Sequence, residues 1–193
     1  MTRLLYLASS SRYRRELLTR LQLNFRCESP QIDESPLAGE TALDTCVRLA
    51  REKALAVAAN HPDSLVIGSD QVADVDGEAI SKPGTHERAR QQLKSMSGKT
   101  IVFHSAVCVH CARTNKSIEF SVPTSVEFRQ LDPAEIERYL IAEEPYDCAG
   151  SAKSEGLGIS LLKRIESSDP TALIGLPLIE VANALRQFEL TLP

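Results

Sequence analysis

Short apolar runs that read as buried strands alternate along this chain with amphipathic stretches of helical period, and that alternation restricts it to an α/β architecture. The first unit sets the pattern. Leu4-Leu5-Tyr6-Leu7-Ala8 is an apolar run that reads as a buried strand, Ser9-Ser10-Ser11 a turn of small residues, and Arg12 opens a helical stretch with Leu17, Leu18 and Leu21 on one face. A strand that enters a helix through small residues presents free backbone N–H groups and the positive end of the helix dipole. Hydroxyls and guanidinium groups there add charge-assisted donors suited to phosphate oxygens. The same serines would equally cap a helix whose arginines are solvated. With no glycine and no Gly-Lys-Ser/Thr, the turn is not a Walker loop.

The remaining elements follow from local signals. The first strand spans Arg3–Leu7, the first helix Tyr13–Leu21 and a short strand Asn24–Glu28, before a loop over Ser29–Gly39 rich in proline and acid. Thr41-Ala42-Leu43-Asp44 has capping-box form and starts an alanine-rich helix that reaches Asn60. Ser64–Ser69 reads as a buried strand, and Asp76-Gly77 turns a hairpin between Val72–Val75 and Glu78–Ile80. Thr85 caps a helix to Met96, and two long strands, Thr100–Cys111 and Ser117–Phe128, follow. Asp132-Pro133 starts another helix, Ile159–Ile165 reads as a strand, and the last helix covers Pro177–Phe188. A mixed sheet flanked by helices is expected.

At 193 residues the chain is long enough to bury a sizeable core, and a single domain over 1–193 is expected. A net charge of −4, no tryptophan and 5% aromatic residues argue against a nucleic-acid surface. No apolar run is long enough for a membrane span or a leader. The five scattered cysteines then fit a reducing, cytoplasmic compartment. Cys108 and Cys111 lie three apart on a strand, point to opposite faces and read as structural.

Four polar features interrupt the packing pattern. Asp70, in Gly68-Ser69-Asp70-Gln71, stands where the apolar strand ends, a place where α/β folds put active groups. It could hold a divalent cation or deprotonate water, or simply cap a turn. Lys82 is followed by a rigid proline, though an exposed lysine is the simpler reading. Lys53 lies on a helix apolar on several faces and is either directed inward or solvated. Asp33-Glu34 offers further carboxylates for a metal, or a solvated loop. Together these supply cations for phosphates, carboxylates for a metal and an activator of water, the set needed to hydrolyse a nucleoside triphosphate.

These residues resemble the Maf family of nucleotide pyrophosphatases. The matches are Leu7-Ala8-Ser9-x-Ser11 with Arg14 and Glu16-Leu17-Leu18, Asp33-Glu34, Ala50-Arg51-Glu52-Lys53-Ala54, Gly68-Ser69-Asp70-Gln71-Val72 and Lys82-Pro83. Val126-Glu127-Phe128-Arg129, Ala149-Gly150-Ser151, Glu155-Gly156-Leu157-Gly158 and Gly175-Leu176-Pro177-Leu178 continue them in order over nearly the whole chain. The resemblance implies a curved mixed sheet with two lobes around a cleft, as in Maf and ITPase-like folds. It also implies cleavage between the α- and β-phosphates with Mg²⁺ or Mn²⁺. By motif, Asp70 is the proton acceptor, Ser9, Arg14, Lys53 and Lys82 bind phosphates, and Glu34 joins Asp70 in holding metal or water. A nucleotide is the partner implied, and a homodimer is compatible with the resemblance. The family usually has proline where Arg12 stands.

Branches of the family differ at the positions of Tyr13, Gln71 and Glu155. The dTTP/UTP branch carries Arg, Thr and Gln there, and the branch acting on 7-methyl-GTP carries Trp, Gln and Glu. The chain resembles the second, with one aromatic replacing another. N7-methylated guanine is cationic, so an aromatic face and a carboxylate both favour it. The alternatives are the dTTP/UTP activity and a nucleotide-binding regulator of cell division.

Overall fold

A computed structural model describes residues 4–192 of the chain. Strands β1 (Leu4–Ala8), β2 (Phe25–Glu28), β3 (Ser64–Val75), β4 (Glu78–Ile80), β5 (Thr100–Cys111), β6 (Lys116–Phe128) and β7 (Leu162–Ser167) form one sheet ordered β2-β1-β3-β5-β6-β7, with β4 also on β3. β1 runs parallel to β2 and β3, and every pair from β3 onward is antiparallel, so the sheet is mixed as expected. Arg3, expected to start the first strand, lies outside the described residues.

The helices begin where the chain supplies caps. Ser11 caps α1 (Arg12–Thr19), and Thr41 and Asp44 form a reciprocal capping box on α2 (Ala42–Ala58). Thr85 caps α3 (His86–Met96), and Asp132 with proline at the first helical position starts α4 (Pro133–Glu143). α5 covers Leu178–Gln187. No helix among the described residues is long and apolar enough to cross a membrane.

Strand alternation sorts the side chains of β3 onto two faces. Leu65 and Ile67 pack with α1 and α5 in one cluster, and Ala73 and Val75 pack with α3 and α4 in another. Between these clusters, on the same face, stand the polar Ser69 and Gln71. The opposite face belongs to α2, which covers Val66, Val72 and Cys108 with Ala50, Ala54 and Val57. Cys111 packs on the α1/α5 side, so the two β5 cysteines do face opposite ways.

Two expectations are corrected. β3 does not stop at Ser69: its ladder with β5 runs unbroken from Leu65↔Cys111 to Asp74↔Val102, so Asp70 and Gln71 lie inside a long strand rather than at its end. What ends near that point is the neighbour on the other edge. β1 pairs only as far as Ala8↔Gly68, and β4 joins only from Ala73↔Ile80. One edge of β3 is therefore unpaired over residues 69–72. The second correction concerns the last strand, which begins at Leu162 because Leu157–Leu161 form 3₁₀ turns. Gly158 approaches the Lys153 backbone so closely that an added Cβ would lie 2.5 Å from its carbonyl oxygen, a path that an extended strand does not take.

Candidate active site

A cavity of about 240 Å³ opens beside the free edge of β3. Of the residues singled out in the sequence, Tyr13, Arg14, Glu34, Lys53, Asp70, Gln71, Lys82 and Glu155 all line it. Ser9 lines a smaller adjoining hollow of about 40 Å³ that shares Ser11, Arg14, Glu34, Lys53 and Lys82 with the larger one. Asp33 is absent from both; its carboxylate accepts from the Ser35 N–H at 2.9 Å in a local turn.

At the centre, Asp70 on β3 and Lys53 on α2 are only 6% and 5% exposed. The Lys53 ammonium donates to Asp70 Oδ1 at 2.7 Å and to Glu34 Oε2 at 2.9 Å. A buried lysine is tolerable only when so paired. Asp70 Oδ2 receives no hydrogen bond among the described residues and is the oxygen left for a water. Lys53 therefore points inward.

The serines of the first turn are largely engaged in building it. Ser9 Oγ accepts from Ser11 N–H at 3.1 Å, and Ser11 Oγ accepts from Arg14 N–H at 3.4 Å. Arg14 Nε donates to the Gly175 carbonyl at 2.9 Å, which fixes the guanidinium with its terminal nitrogens free of any carboxylate among the described residues. Lys82 is exposed behind a buried Pro83 and has no ion-pair partner among those residues. Arg14, Lys53 and Lys82 thus face one small polar hollow together with the Glu34 carboxylate that pairs Lys53.

At the other end of the cavity Gln71 is oriented by its surroundings. Its amide nitrogen has three acceptors within reach of its two protons, Leu173 O at 2.8 Å, Ser105 Oγ at 3.0 Å and Ala172 O at 3.1 Å. Ser105 Oγ spends its own proton on Ala172 O at 2.7 Å. Two carbonyls and a hydroxyl lone pair demand nitrogen at that place, so Oε1 is left as an acceptor on the other side. Glu155 remains solvent-accessible, yet burial by the surrounding protein pushes its carboxyl above the ordinary value, against its own backbone N–H and Lys153, which lower it.

Tyr13 Oη accepts from Arg12 at 2.6 Å and donates to Asp147 Oδ1 at 3.3 Å. Burial pushes its hydroxyl up to about 12, so it stays a neutral phenol in any ordinary assay. Its ring already has cations beside it: the Arg12 guanidinium at 4.7 Å and the Lys153 ammonium at 5.8 Å from the centroid.

No group of three or more His, Cys, Asp or Glu side chains among the described residues is placed to hold an ion unaided. Glu34 and Asp70 nevertheless meet at one cation, the Lys53 ammonium. This is the hard oxygen set that Mg²⁺ uses when substrate phosphates and waters complete its shell. The residues fit such an ion.

Several contributors carried no sequence signal. Asp147 and Cys148 reach the cavity from an irregular loop, and the carbonyls of Ala172 and Leu173 act through backbone atoms that residue type does not reveal; Gly175 stood in a matched motif, but the contact of its carbonyl with Arg14 was not legible there. Ser105 hides within an ordinary strand.

A mixed α/β sheet whose interrupted edge gathers a buried carboxylate, a buried lysine and unpaired cations defines a protein built to handle phosphate esters or anhydrides. Residues 4–188 match the model of Maf-like proteins, and the chain belongs to that family. It is 57% identical over 183 residues to a protein of Cupriavidus pinatubonensis named 7-methyl-GTP pyrophosphatase, covering 95% of this chain and 92% of that one. A Burkholderia orbicola protein of the same name is 60% identical over 185 residues, covering 94% and 88%. Among solved structures, the Ham1 protein of Staphylococcus aureus superposes with a TM-score of 0.48 at 14% identity over 66% of this chain and 73% of that one.

Proposed function

We propose that this chain hydrolyses 7-methyl-GTP to 7-methyl-GMP and pyrophosphate. The observation that carries the reading is the juxtaposition, in one cavity, of the Asp70–Lys53–Glu34 centre with a base end that offers two acceptors, Gln71 Oε1 and the Glu155 carboxylate. Guanine presents two donors on its N1–H and N2–H₂ edge. Uracil and thymine present one, and would leave one of the two acceptors unmatched. The names of the relatives point to the same nucleotide.

Lys53 holds Asp70 through Oδ1, so Oδ2 takes the proton of a water as its oxygen attacks phosphorus. The bond between the α- and β-phosphates breaks and pyrophosphate leaves. Arg14, Lys82 and Lys53 neutralise the triphosphate, with Ser9 and the first turn of α1 supporting them. A divalent ion, Mg²⁺ or Mn²⁺, held by Glu34 and Asp70 would screen charge on the phosphate oxygens.

Resident cations at Tyr13 reduce what its ring can offer a cationic base, which puts the stacking gain at the low end of the usual range, about 0.5 kcal/mol. Tyr13→Ala is therefore expected to raise KM for 7-methyl-GTP only about twofold more than for GTP. Glu155→Gln is expected to act more strongly, because a charge-assisted bond contributes roughly 1.5–3 kcal/mol. It should lower kcat/KM for 7-methyl-GTP about tenfold or more, with a smaller loss for GTP. Equal losses on the two nucleotides would mean that Glu155 reads the guanine edge they share and not the charge added by N7-methylation, and no loss on either would remove it from base recognition.

Because burial raises the Glu155 carboxyl, the charged form that favours the base is lost on acidification earlier than for an ordinary glutamate. KM for 7-methyl-GTP should rise as pH falls towards that raised value, and the rise should disappear in Glu155→Gln. The deciding assay is pyrophosphate release with Mg²⁺ or Mn²⁺ across 7-methyl-GTP, GTP, dTTP, UTP and CTP. Preference for dTTP or UTP would keep the centre and overturn the base assignment.

A further inference from the structure

Glu34 reaches the site from residues 29–41, which form neither helix nor strand. A catalytic carboxylate on an irregular segment needs an anchor, since ungoverned loop backbone does not hold geometry to a fraction of an ångström. The anchor is visible on α2, five residues before Lys53. Arg48 Nε and Nη2 grip Glu40 Oε1 and Oε2 at 2.5 and 2.9 Å, while Nη2 also donates to the carbonyl of Ser35, next to Glu34, at 3.0 Å. Its remaining nitrogen, Nη1, takes Glu52 Oε2 at 3.1 Å.

Glu40 in turn accepts from Leu37 N–H at 2.9 Å and Thr45 Oγ1 at 3.1 Å. One guanidinium plane thereby ties both sides of the loop turn to the helix that carries Lys53. The Arg48 and Glu40 side chains are 18% and 15% exposed, so solvent screens the pair weakly. Arg48, with the Leu37 N–H, holds the Glu40 carboxyl down to about 2, and the clamp stays charged at every working pH.

We propose that Arg48 is the positioning residue that sets Glu34 against Lys53 and Asp70, an inference resting on the reading of Glu34 given above. Arg48 touches no reacting atom; it acts through the loop. A lysine in its place cannot grip both carboxylate oxygens and the Ser35 carbonyl at once.

The test is a double-mutant cycle on the full chain: wild type, Arg48→Ala, Glu34→Gln and the double variant, with Arg48→Lys and Glu40→Gln beside them. Turnover of 7-methyl-GTP, Mn²⁺ affinity by electron paramagnetic resonance and Tm are measured for each. Supporting residues of metal-binding carboxylates typically matter by about 10–100-fold. Arg48→Ala should lower kcat about tenfold or more, change KM by less than about threefold and weaken Mn²⁺ binding. The double variant should be no slower than Glu34→Gln alone, because one substitution has already removed what the other positions. Arg48→Lys should resemble Arg48→Ala.

Should Arg48→Ala fail to fold, Glu40→Gln, which leaves the Ser35 contact in place, should show a smaller loss with the same coupling to Glu34. Losses that simply multiply in the double variant, or full activity in Arg48→Lys, would overturn the proposal. Inactive Glu34→Gln beside fully active Arg48→Ala would overturn it alone. Fully active Glu34→Gln would overturn it together with the assigned role of Glu34.

Discussion

Asp70→Asn is expected to reduce pyrophosphate release by about 10²–10⁴-fold, the range for loss of a general base, while the protein still binds the nucleotide. Asparagine has nearly the same shape and can keep an oxygen towards Lys53, so the hydrogen bond at 2.7 Å has a replacement. What disappears is the basic Oδ2 and one negative charge in a buried site. Lys53 remains paired with Glu34 at 2.9 Å, so the ammonium is not stranded, though a lower Tm is expected because one of its two partners becomes neutral. Binding should be measured directly, by calorimetry with 7-methyl-GTP, in parallel with turnover. Retained turnover would remove Asp70 as the proton acceptor. Loss of binding and turnover together would recast it as a structural or metal-holding residue.

The second large effect is expected at a residue that itself touches no reacting atom. Gly68 lies on β3 where α2 crosses closest, and a Cβ built there would stand 2.2 Å from Ala50 O, 2.5 Å from Ala54 N and 2.9 Å from Ala54 Cβ. Two of those atoms are helix backbone and cannot rotate aside, so Gly68→Ala must push α2 away from the strand. Overpacking of this kind typically costs about 1–3 kcal/mol, and the rigid obstacle places this case at the upper end. The functional loss should exceed the stability loss, because α2 carries Lys53 and Arg48 while β3 carries Asp70. Thermal and urea denaturation of Gly68→Ala, beside turnover of the folded fraction, measures both. Gly39→Ala is the control: its φ of +83° strains any other residue, yet nothing lies within 4 Å of its added Cβ. An unchanged midpoint for Gly68→Ala would mean that helix and strand have room to spare.

Legibility in the sequence followed the range of the forces involved. Ser11, Thr41, Thr85 and Asp132 each bond to backbone within three residues, so their helices could be placed from neighbours alone. The Asp76-Gly77 hairpin was equally local, both residues taking the positive φ that such a turn requires. The end of β3 was misjudged because Ser69, Asp70 and Gln71 look like a break in an apolar run. The strand continues because β5 supplies a partner for every residue through Asp74, and those partners lie from 28 to 46 positions away. Lys53 illustrates the middle case: helical period placed it near an apolar face, and only the meeting with Glu34 and Asp70 decided that its charge is buried.

The sequence by itself determined the α/β class, most helix starts and, through motif order, which side chains belong together. Those properties depend on periodicity, capping and residue identity, all of which are written within a few positions. Tertiary structure alone decided that β1 ends and β4 begins on the same edge of β3, leaving residues 69–72 unpaired beside a cavity. It also decided that Gln71 turns its oxygen rather than its nitrogen away from the 172–173 carbonyls, and that Arg48 reaches across to hold the loop of Glu34. Each of these is a contact between segments remote in the chain, set by packing and by hydrogen bonds to backbone atoms that every residue shares. No local pattern encodes them.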